Sequence, residues 1–428
     1  MNDQRNRIFD IKTGCFSFKE NETGEDYLNI FAVGDLTLAR NVEKKIKTHS
    51  PQYPFEIISD YLNGFDIVFG NLESPFSINK PDEPTKNKVI NFCVDPKGSE
   101  SIKYAGFNIL SIANNHAMDF GHKPMLGTIE TLNKLDIHVV GAGKDLKQSR
   151  KPIIIQKKGI SLGFLAYATS DKLTDAGEEN PGTNPFIIEN AIADIKDLKN
   201  KVDFVLVSIH KGREFMHYPH PDHQKDMRQL INNGADIILG HHPHYPQGIE
   251  IYKDKVIFYS LSKFVFDEPY PNKYEALLFE SLRKKIISVI IKVSKNEILS
   301  YKIVPLSMSK DFQTSLLIGD ERLNTLKLIR KISLPLSLEK NENFFYKGGK
   351  HYLNAQFILF LHGFRKLKIK SIINYFLWIL SDETFKLIVG SYLKIRVPVF
   401  ILKLKNCILS TSVLLAKSFI HRKKDNAH

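Results

Sequence analysis

Residues 203–267 constrain the fold more than any other part of the sequence. Two apolar runs of strand length, at 204–209 and 237–239, flank a segment at 222–233 whose apolar side chains recur at helical spacing. This order predicts a parallel β-α-β unit, in which both strands end at the same edge of the sheet. Polar residues follow each run directly. The histidines at these two strand ends are His210, His241, His242 and His244.

Three earlier apolar runs also end in polar side chains. They cover residues 28–33, 66–70 and 107–113. The last run leads into two asparagines and a histidine, which cannot continue a buried strand without hydrogen-bond partners. Each strand end taken alone has an ordinary explanation, such as a helix cap, a turn or a solvated side chain. The polar residues at these ends are Asp35, Asn71, Glu73, Asn115 and His116.

The five strand ends together indicate a metal centre. Their mixture of carboxylate, amide and imidazole groups suits divalent transition metals. Two ions about 3.5–4 Å apart would share one of these ligands, so we expect two ions of Mn, Fe or Zn. The competing interpretation is a set of buried, hydrogen-bonded histidines. The predicted metal ligands are Asp35, Asn71, Glu73, Asn115, His210, His242 and His244.

The composition argues against several other classes of protein. The three cysteines, Cys15, Cys93 and Cys407, form no CxxC pair, so neither a disulfide framework nor a thiolate metal site is expected. The first residues carry charges and contain no apolar run of signal-peptide length. No uninterrupted apolar stretch reaches the ~18–20 residues of a membrane-spanning helix. We therefore expect the catalytic part to be cytoplasmic.

Six motifs follow one another along the chain: GDLTLAR, DIVFGNLESPF, ILSIANNHAMDFG, VSIHKGREF, GADIILGHHPHYPQGIE and IFYSLSKFVFD. Their order resembles that of the bacterial CapA family, which is associated with capsule and poly-γ-glutamate biosynthesis. The resemblance covers about residues 28–270. It implies an α/β fold, the four-layer α/β/β/α sandwich of the calcineurin-like metallophosphoesterases, with a metal centre at the strand ends.

The resemblance also implies roles for individual residues. The seven predicted ligands would hold the metal, and His116 would assist the leaving group as the catalytic residue. His241 stands where the family often has another small or polar residue, and we expect it beside the ligands or at the surface. Arg40 and Lys263 are expected to bind substrate. The family usually has Gly-Asn at positions 262 and 263, so Lys263 would either hold an anionic substrate or repel a second metal ion.

The sequence predicts four segments: a leader at 1–27, the sandwich domain at 28–305, a connecting segment at 306–350 and a basic, mainly helical region at 351–428. The last segment holds 13 Lys/Arg and 3 Asp/Glu. Basic amphipathic helices there would either lie against an anionic membrane or pack on the sandwich. Nucleic-acid binding is less favoured, because no recognised binding module is present.

These features predict a metal-dependent hydrolase or transferase that acts on a phosphoester or amide bond in capsule, exopolysaccharide or poly-γ-glutamate biosynthesis. The expected partners are an anionic polymer or its precursor and the subunits of a synthase. The expected location is the cytoplasm, at the inner face of the membrane. A different class stays open, namely a non-catalytic scaffold subunit of a membrane-associated polymer synthase that keeps a structural metal site.

Overall fold

A computed structural model gives the arrangement of the chain. It describes residues 9–18, 26–78, 84, 90–214, 216–267, 285–338 and 344–345. The basic helical region predicted at 351–428 lies outside the described residues. No helix within these ranges combines the length and the apolar character needed to cross a membrane.

Strands and helices alternate along most of the described chain. The strands are β1 (Cys15–Ser17), β2 (Leu28–Leu36), β3 (Ile67–Leu72), β4 (Ile109–Ser111), β5 (His138–Val140), β6 (Ala142–Gly143), β7 (Ile153–Lys157), β8 (Ile160–Ala168), β9 (Gly182–Thr183), β10 (Phe204–His210), β11 (Ile237–His241), β12 (Ile249–Tyr252), β13 (Lys255–Phe258), β14 (Lys263–Val265), β15 (Ile286–Val293), β16 (Ile298–Met308) and β17 (Thr314–Leu316). The helices are α1 (Asn41–Thr48), α2 (Ser59–Leu62), α3 (Ser99–Tyr104), α4 (His122–Asn133), α5 (Leu146–Ser149), α6 (Ile188–Lys199), α7 (Pro221–Asn232) and α8 (Gly319–Ser337).

Two mixed sheets form the centre of the molecule. The first sheet has the order β1-β16-β15-β2-β3-β4-β5, with β14 beside β2 and β17 beside β16. The second sheet has the order β12-β13-β11-β10-β8-β7. Strands β2 to β5 are parallel, and so are β8, β10, β11 and β13. The carboxyl ends of each parallel set therefore meet at one edge of its sheet.

Both faces of each sheet are apolar. Successive side chains of a strand point to opposite faces, so they pack alternately into two hydrophobic layers. In β2, Ile30 and Ala32 pack between the sheets, whereas Phe31 and Val33 pack under the helices. In β10, Leu206 likewise packs between the sheets and its neighbours pack under helices. Apolar residues of α1 to α4 cover the first sheet, and those of α6 and α7 cover the second. The predicted four-layer α/β/β/α sandwich is confirmed.

The β-α-β unit at β10, α7 and β11 forms for local reasons that are visible in the sequence. The His220 side chain accepts a hydrogen bond from a backbone N–H of the first turn, and Pro221 opens the helix where no N–H is needed. Met227 and Leu230 bury the inner face of α7. Gly234, at φ 114°, then turns the chain into the next strand.

The segments on either side of the predicted sandwich domain contribute to the fold. β1 pairs with β16, and Phe9 is buried in the layer between the sheets. In the segment predicted to be a connector, β16 ends at Met308, and β17 and α8 follow. Leu326 and Ile329 of α8 pack in the same layer as Phe9. The apolar face of α8 explains why this segment is part of the sandwich.

Two glycines let neighbouring strands approach closely beside the predicted ligands. A Cβ atom at Gly34 would lie 2.2 Å from the carbonyl oxygen of Ser262, and one at Gly240 would lie 2.1 Å from that of Tyr259. Any side chain at either position would push the strands apart. Each glycine directly precedes a residue of the candidate site, so the close approach of the strands positions that site.

We expect Gly34→Ala and Gly240→Ala each to lower the free energy of unfolding by roughly 1–3 kcal/mol through overpacking. Gly127 in α4 is the matched control, because the nearest atom to a Cβ there is 3.8 Å away. Gly127→Ala should instead raise the free energy of unfolding by about 0.5–1 kcal/mol. Urea denaturation followed by circular dichroism measures all three. Equal stability of all three variants would show that strand spacing at the site is not fixed by these glycines.

Candidate metal centre

The carboxylate of Asp35, at the end of β2, joins the two sheets. Its Oδ1 accepts a hydrogen bond from Asn71 Nδ2 at 2.9 Å and lies 3.1 Å from His241 Nδ1. Its Oδ2 accepts the backbone N–H of His242 at 2.9 Å and lies 3.2 Å from His244 Nδ1. Asp35 and His241 have no exposed surface. One buried carboxylate therefore connects the ends of β2, β3 and β11.

The surroundings keep Asp35 ionised. Burial by itself would raise the pKa of the carboxyl group, but the hydrogen bond with His241, the close contact with His244 and the charges of His241 and His210 outweigh it and hold the pKa well below its usual range. Burial by itself would lower the pKa of His244, but the contact with the Asp35 carboxylate outweighs it and raises that pKa. Asp35 thus provides an anionic centre at neutral pH.

His210, at the end of β10, contacts predicted ligands through both nitrogens of its ring. Its Nδ1 lies 3.1 Å from Asn71 Nδ2 and 3.9 Å from Glu73 Oε1. Its Nε2 lies 2.9 Å from Asn115 Oδ1 and 3.1 Å from His242 Nδ1. The structure therefore brings all seven predicted ligands into one cluster.

Burial keeps two of the imidazoles neutral. It lowers the pKa of His210 well below its usual value, and the charge of His242 adds to the effect. It also lowers the pKa of His242 to about 4. A neutral imidazole is the form that binds a metal ion.

The chemistry of the donor set fits a divalent metal. Asp35, Glu73 and His210 are all buried, and each offers a ligand atom within 4.8 Å of the other two. Two carboxylates and an imidazole at that spacing match the preferences of Mn, Fe and Zn. The buried negative charge of Asp35 would also be costly without a cation nearby. The structure thus supports divalent metal binding at this edge.

His116 lies beside the cluster and is oriented by a residue that the sequence reasoning did not single out. Its Nδ1 is 2.7 Å from Asp119 Oδ2, and its Nε2 is 3.9 Å from Glu73 Oε2. Asp119 is fully buried and also accepts the backbone N–H of Phe92. Asp119 lies three residues after His116, a spacing that brings two side chains together across one turn of the chain. This spacing is the feature of the sequence that could have indicated the pairing.

His241 lies beside the ligands, which is one of the two places expected for it, and not at the surface. Its ring is fully buried and contacts Asp35, and its Nε2 has no hydrogen-bond partner among the described residues. Leu239, two positions earlier in β11, packs between the sheets, and strand alternation directs His241 to the same side. The sequence placed His241 beside the ligands as one option, and that option is the one the structure shows.

Strained backbone conformations cluster at this edge. His242, His244 and Ser262 have φ values of 93°, 56° and 62°, and Arg40 has φ 63°. Such values are unfavourable for residues other than glycine, at roughly 1–3 kcal/mol each, and persist where the surroundings impose them. The hydrogen bond from the His242 N–H to Asp35 is one such constraint. Five other described non-glycine residues with positive φ lie elsewhere, so the feature of this edge is that four such residues surround the predicted ligands.

The two residues predicted to bind substrate occupy different environments. The side chain of Arg40 is 34% exposed, and its Nε lies 3.6 Å from Asp267 Oδ2. Asp267 follows Phe266, whose ring centroid is 4.6 Å from that of His244, so a chain of contacts connects Arg40 to the cluster. Lys263 is buried in β14, directly opposite Asp35 in β2.

Removing the charge of Glu73 should weaken metal binding more than it weakens the fold. For Glu73→Gln we expect the affinity for Mn²⁺ to fall at least about tenfold, because a neutral amide replaces a carboxylate in the cluster. Isothermal titration of chelator-treated protein measures this affinity. Glu250→Gln is the matched control, since Glu250 is buried but bonds Arg228 and Tyr259 instead. Equal loss of Mn²⁺ affinity in both variants would contradict the assignment.

Comparisons with known proteins identify the family of this chain. The family described as "Bacterial capsule synthesis protein PGA_cap" matches residues 29–268. The "Capsule biosynthesis protein CapA" of Bacillus anthracis is 33% identical over 270 residues, which are 61% of this chain and 64% of that protein. The "PGA biosynthesis protein CapA" of Bacillus subtilis strain 168 is 34% identical over 263 residues, 61% of this chain and 69% of that protein. The match thus spans about two thirds of each relative's length.

A solved structure described as a novel phosphatase from Mycoplasma pneumoniae is also similar. Its sequence identity is 15% and its TM-score 0.41, over 71% of this chain and 100% of that chain. The family match covers all the residues of the candidate metal centre. The chain therefore belongs to the family of bacterial capsule synthesis proteins that includes CapA.

Proposed function

We propose that this protein is a metal-dependent hydrolase or transferase that acts on a phosphoester or amide bond during capsule, exopolysaccharide or poly-γ-glutamate biosynthesis. The observation that carries the proposal is the Asp35–Glu73–His210 cluster with the His116–Asp119 pair beside it. The pathway is inferred from the names of the two Bacillus relatives. A substrate in such pathways is an anionic polymer or its precursor.

The seven predicted ligands would hold divalent ions of Mn, Fe or Zn. We expect two such ions. Such ions supply positive charge and Lewis acidity toward an anionic reacting group. Asp35 and Glu73 provide negative charge for their binding, while the neutral imidazoles of His210 and His242 provide lone pairs. The low exposure of these residues excludes bulk water and strengthens the electrostatic interactions inside the site.

We infer that His116 moves a proton during the reaction. Its Nδ1 donates to Asp119, which fixes the ring, and its Nε2 is directed toward Glu73 at the edge of the cluster. In its protonated form the imidazole would donate a proton from Nε2 to the leaving group, and the carboxylate of Asp119 would stabilise its positive charge. Asp119 thus acts through His116 as a positioning residue.

Arg40 and Lys263 would supply positive charge to an anionic substrate. The partly exposed guanidinium of Arg40 is held by Asp267, which also accepts the backbone N–H of Asn41 at 2.9 Å. A fixed guanidinium binds carboxylates and phosphates through two parallel hydrogen bonds. We propose that Arg40 contacts the polymer outside the buried cluster.

For His116→Ala we expect turnover to fall by about 10²- to 10⁴-fold, because the proton donor is lost, while metal content stays unchanged. Purified, Mn²⁺-loaded protein is assayed on nitrophenyl phosphate esters and on γ-glutamyl amides, and metal is counted by mass spectrometry. His122→Ala, at an exposed histidine at the start of α4, is the control. Full activity of the His116→Ala variant would show that His116 is not the proton donor. Metal-loaded protein that is inert on both substrate classes would favour the scaffold function.

We propose in addition that residues 351–428 attach the protein to the inner face of an anionic membrane and bring it to synthase partners there. The proposal rests on the sequence, which offers 13 Lys/Arg against 3 Asp/Glu together with many apolar residues. Each basic residue near an anionic surface contributes about 1 kcal/mol of attraction. A handful of such contacts suffices for reversible attachment.

Attachment should depend on lipid charge and on salt. We expect the full-length protein to sediment with vesicles that contain phosphatidylserine but not with neutral vesicles, and binding should weaken as salt rises, because the Debye length shortens. Replacing Lys386, Lys394, Lys403 and Lys405 by Gln should reduce sedimentation severalfold. The control replaces Lys144, Lys147, Lys172 and Lys225 in the sandwich. Equal sedimentation of both variants and the wild type would contradict the proposal.

A further inference from the structure

Asn114, which follows β4, is fully buried and connects two parts of the candidate site. Its Nδ2 donates to the carbonyl oxygen of Leu72 at 2.8 Å and to Oδ1 of Asn71 at 3.3 Å. Its Oδ1 accepts the backbone N–H of His116 at 3.1 Å. The amide thus uses both of its hydrogens and its oxygen. It joins the end of β3 to the loop that carries His116.

Two backbone groups determine the orientation of the Asn114 amide. A backbone carbonyl oxygen can only accept a hydrogen bond, and a backbone N–H can only donate one. The contact with the Leu72 oxygen therefore requires the amide nitrogen, and the contact with the His116 N–H requires the amide oxygen. The reverse orientation would leave these buried groups without hydrogen bonds, which is unfavourable. The NH2 group of Asn114 is therefore the group that faces Asn71.

This orientation passes on to the amide of Asn71, which is also fully buried and pairs with Asp35 in the register of β2 and β3. Because Asn114 presents an NH2 group, the atom of Asn71 that meets it is the oxygen. The NH2 group of Asn71 then donates to Asp35 Oδ1 at 2.9 Å and lies 3.1 Å from His210 Nδ1. Asn71 thus presents its nitrogen, not its oxygen, to the cluster.

The orientation of the Asn71 amide bears on its role, because a metal ion binds a side-chain amide through the oxygen. Turning the amide around would bring the NH2 groups of Asn71 and Asn114 against each other. That unfavourable contact does not depend on whether an ion occupies the cluster. A hydrogen-bond donor that holds Asp35 and His210 is the role that the contacts of Asn71 support. Such donors orient the ligands of metal ions and tune their affinity.

We propose that Asn114 is a positioning residue of the metal centre. It fixes the Asn71 amide so that the NH2 group holds Asp35 and His210, while the oxygen does not bind an ion. This inference rests on the proposed metal-dependent function and changes one part of it. The other six predicted ligands would bind the ions directly, and Asn71 would orient two of them.

A double-mutant cycle on the full-length protein tests whether Asn114 acts through Asn71. The affinity of chelator-treated protein for Mn²⁺ is measured by isothermal titration for Asn71→Ala, Asn114→Leu and the double variant. Each single substitution should lower the affinity about 10- to 100-fold, as expected when a residue that orients a ligand is lost. The double variant should bind no more weakly than the weaker single variant, because both substitutions remove the same interaction.

Asn184→Leu is the matched control and should keep the wild-type affinity for Mn²⁺. Asn184 is likewise a buried amide that donates to a backbone carbonyl oxygen, that of Ala166 at 3.0 Å, but in another part of the fold. Urea denaturation of each variant checks that it is folded. If Asn114→Leu does not unfold cooperatively, Asn114→Ser replaces it, and the same non-additive loss is expected.

A crystal structure of the Mn²⁺-loaded wild type tests the role of Asn71 itself. No atom of Asn71 should lie within about 2.3 Å of the ion, which is the upper limit of a direct bond to oxygen or nitrogen. The Asn71 amide should keep its contacts with Asp35 and Asn114.

An Asn71 oxygen bonded to the ion would overturn the inference and leave the proposed function standing. Unchanged Mn²⁺ affinity in a folded Asn114 variant would do the same, and so would a loss in the double variant equal to the product of the two single losses. Wild-type protein that binds no Mn²⁺ would overturn the metal-dependent function itself.

Discussion

The carboxylate of Asp35 is the interaction on which the site depends. It receives contacts from Asn71 in the first sheet and from His241, His242 and His244 at the end of β11 in the second. A buried anion of this kind is stable only while its donors remain in place, because an uncompensated buried charge is strongly unfavourable. The two sheets must therefore meet in a single relative position for the carboxylate to be satisfied, and that position also assembles the ligand cluster.

Several other features of the fold restrict movement of the strand ends around Asp35. Close strand contacts at Gly34 and Gly240, strained backbone at His242 and His244, and tight apolar layers on both faces of each sheet all limit movement at this edge. The strain is unfavourable locally and is offset by burial elsewhere in the sandwich. These constraints together fix the positions of the charged and neutral donors relative to one another. Such preorganisation is what metal-assisted chemistry requires.

Much of this arrangement could be predicted from the sequence, because strand and helix periodicity identifies the strand ends and parallel topology brings them together. The resemblance of the six motifs to those of the CapA family implied the sandwich, which the structure confirms. The role of Asp119 could not be read from its spacing alone, since an acidic residue three positions after a histidine is common. The burial of His241 and Lys263 depends on strand register, on the irregular pairing of β2 and on the place of β14 beside it. Those features are tertiary, and no local pattern encodes them.

The most direct test of the metal centre is a crystal structure of the Mn²⁺-loaded protein with diffraction data collected at the manganese absorption edge. An anomalous difference peak within about 2.0–2.3 Å of oxygen and nitrogen atoms of Asp35, Glu73 and His210 is the expected result. The hydrogen-bond contacts that His210 now makes with Asn115 and His242 should then give way to bonds to the ion. A peak elsewhere, or none while these contacts persist, would contradict the account and identify the cluster as a hydrogen-bonded histidine network.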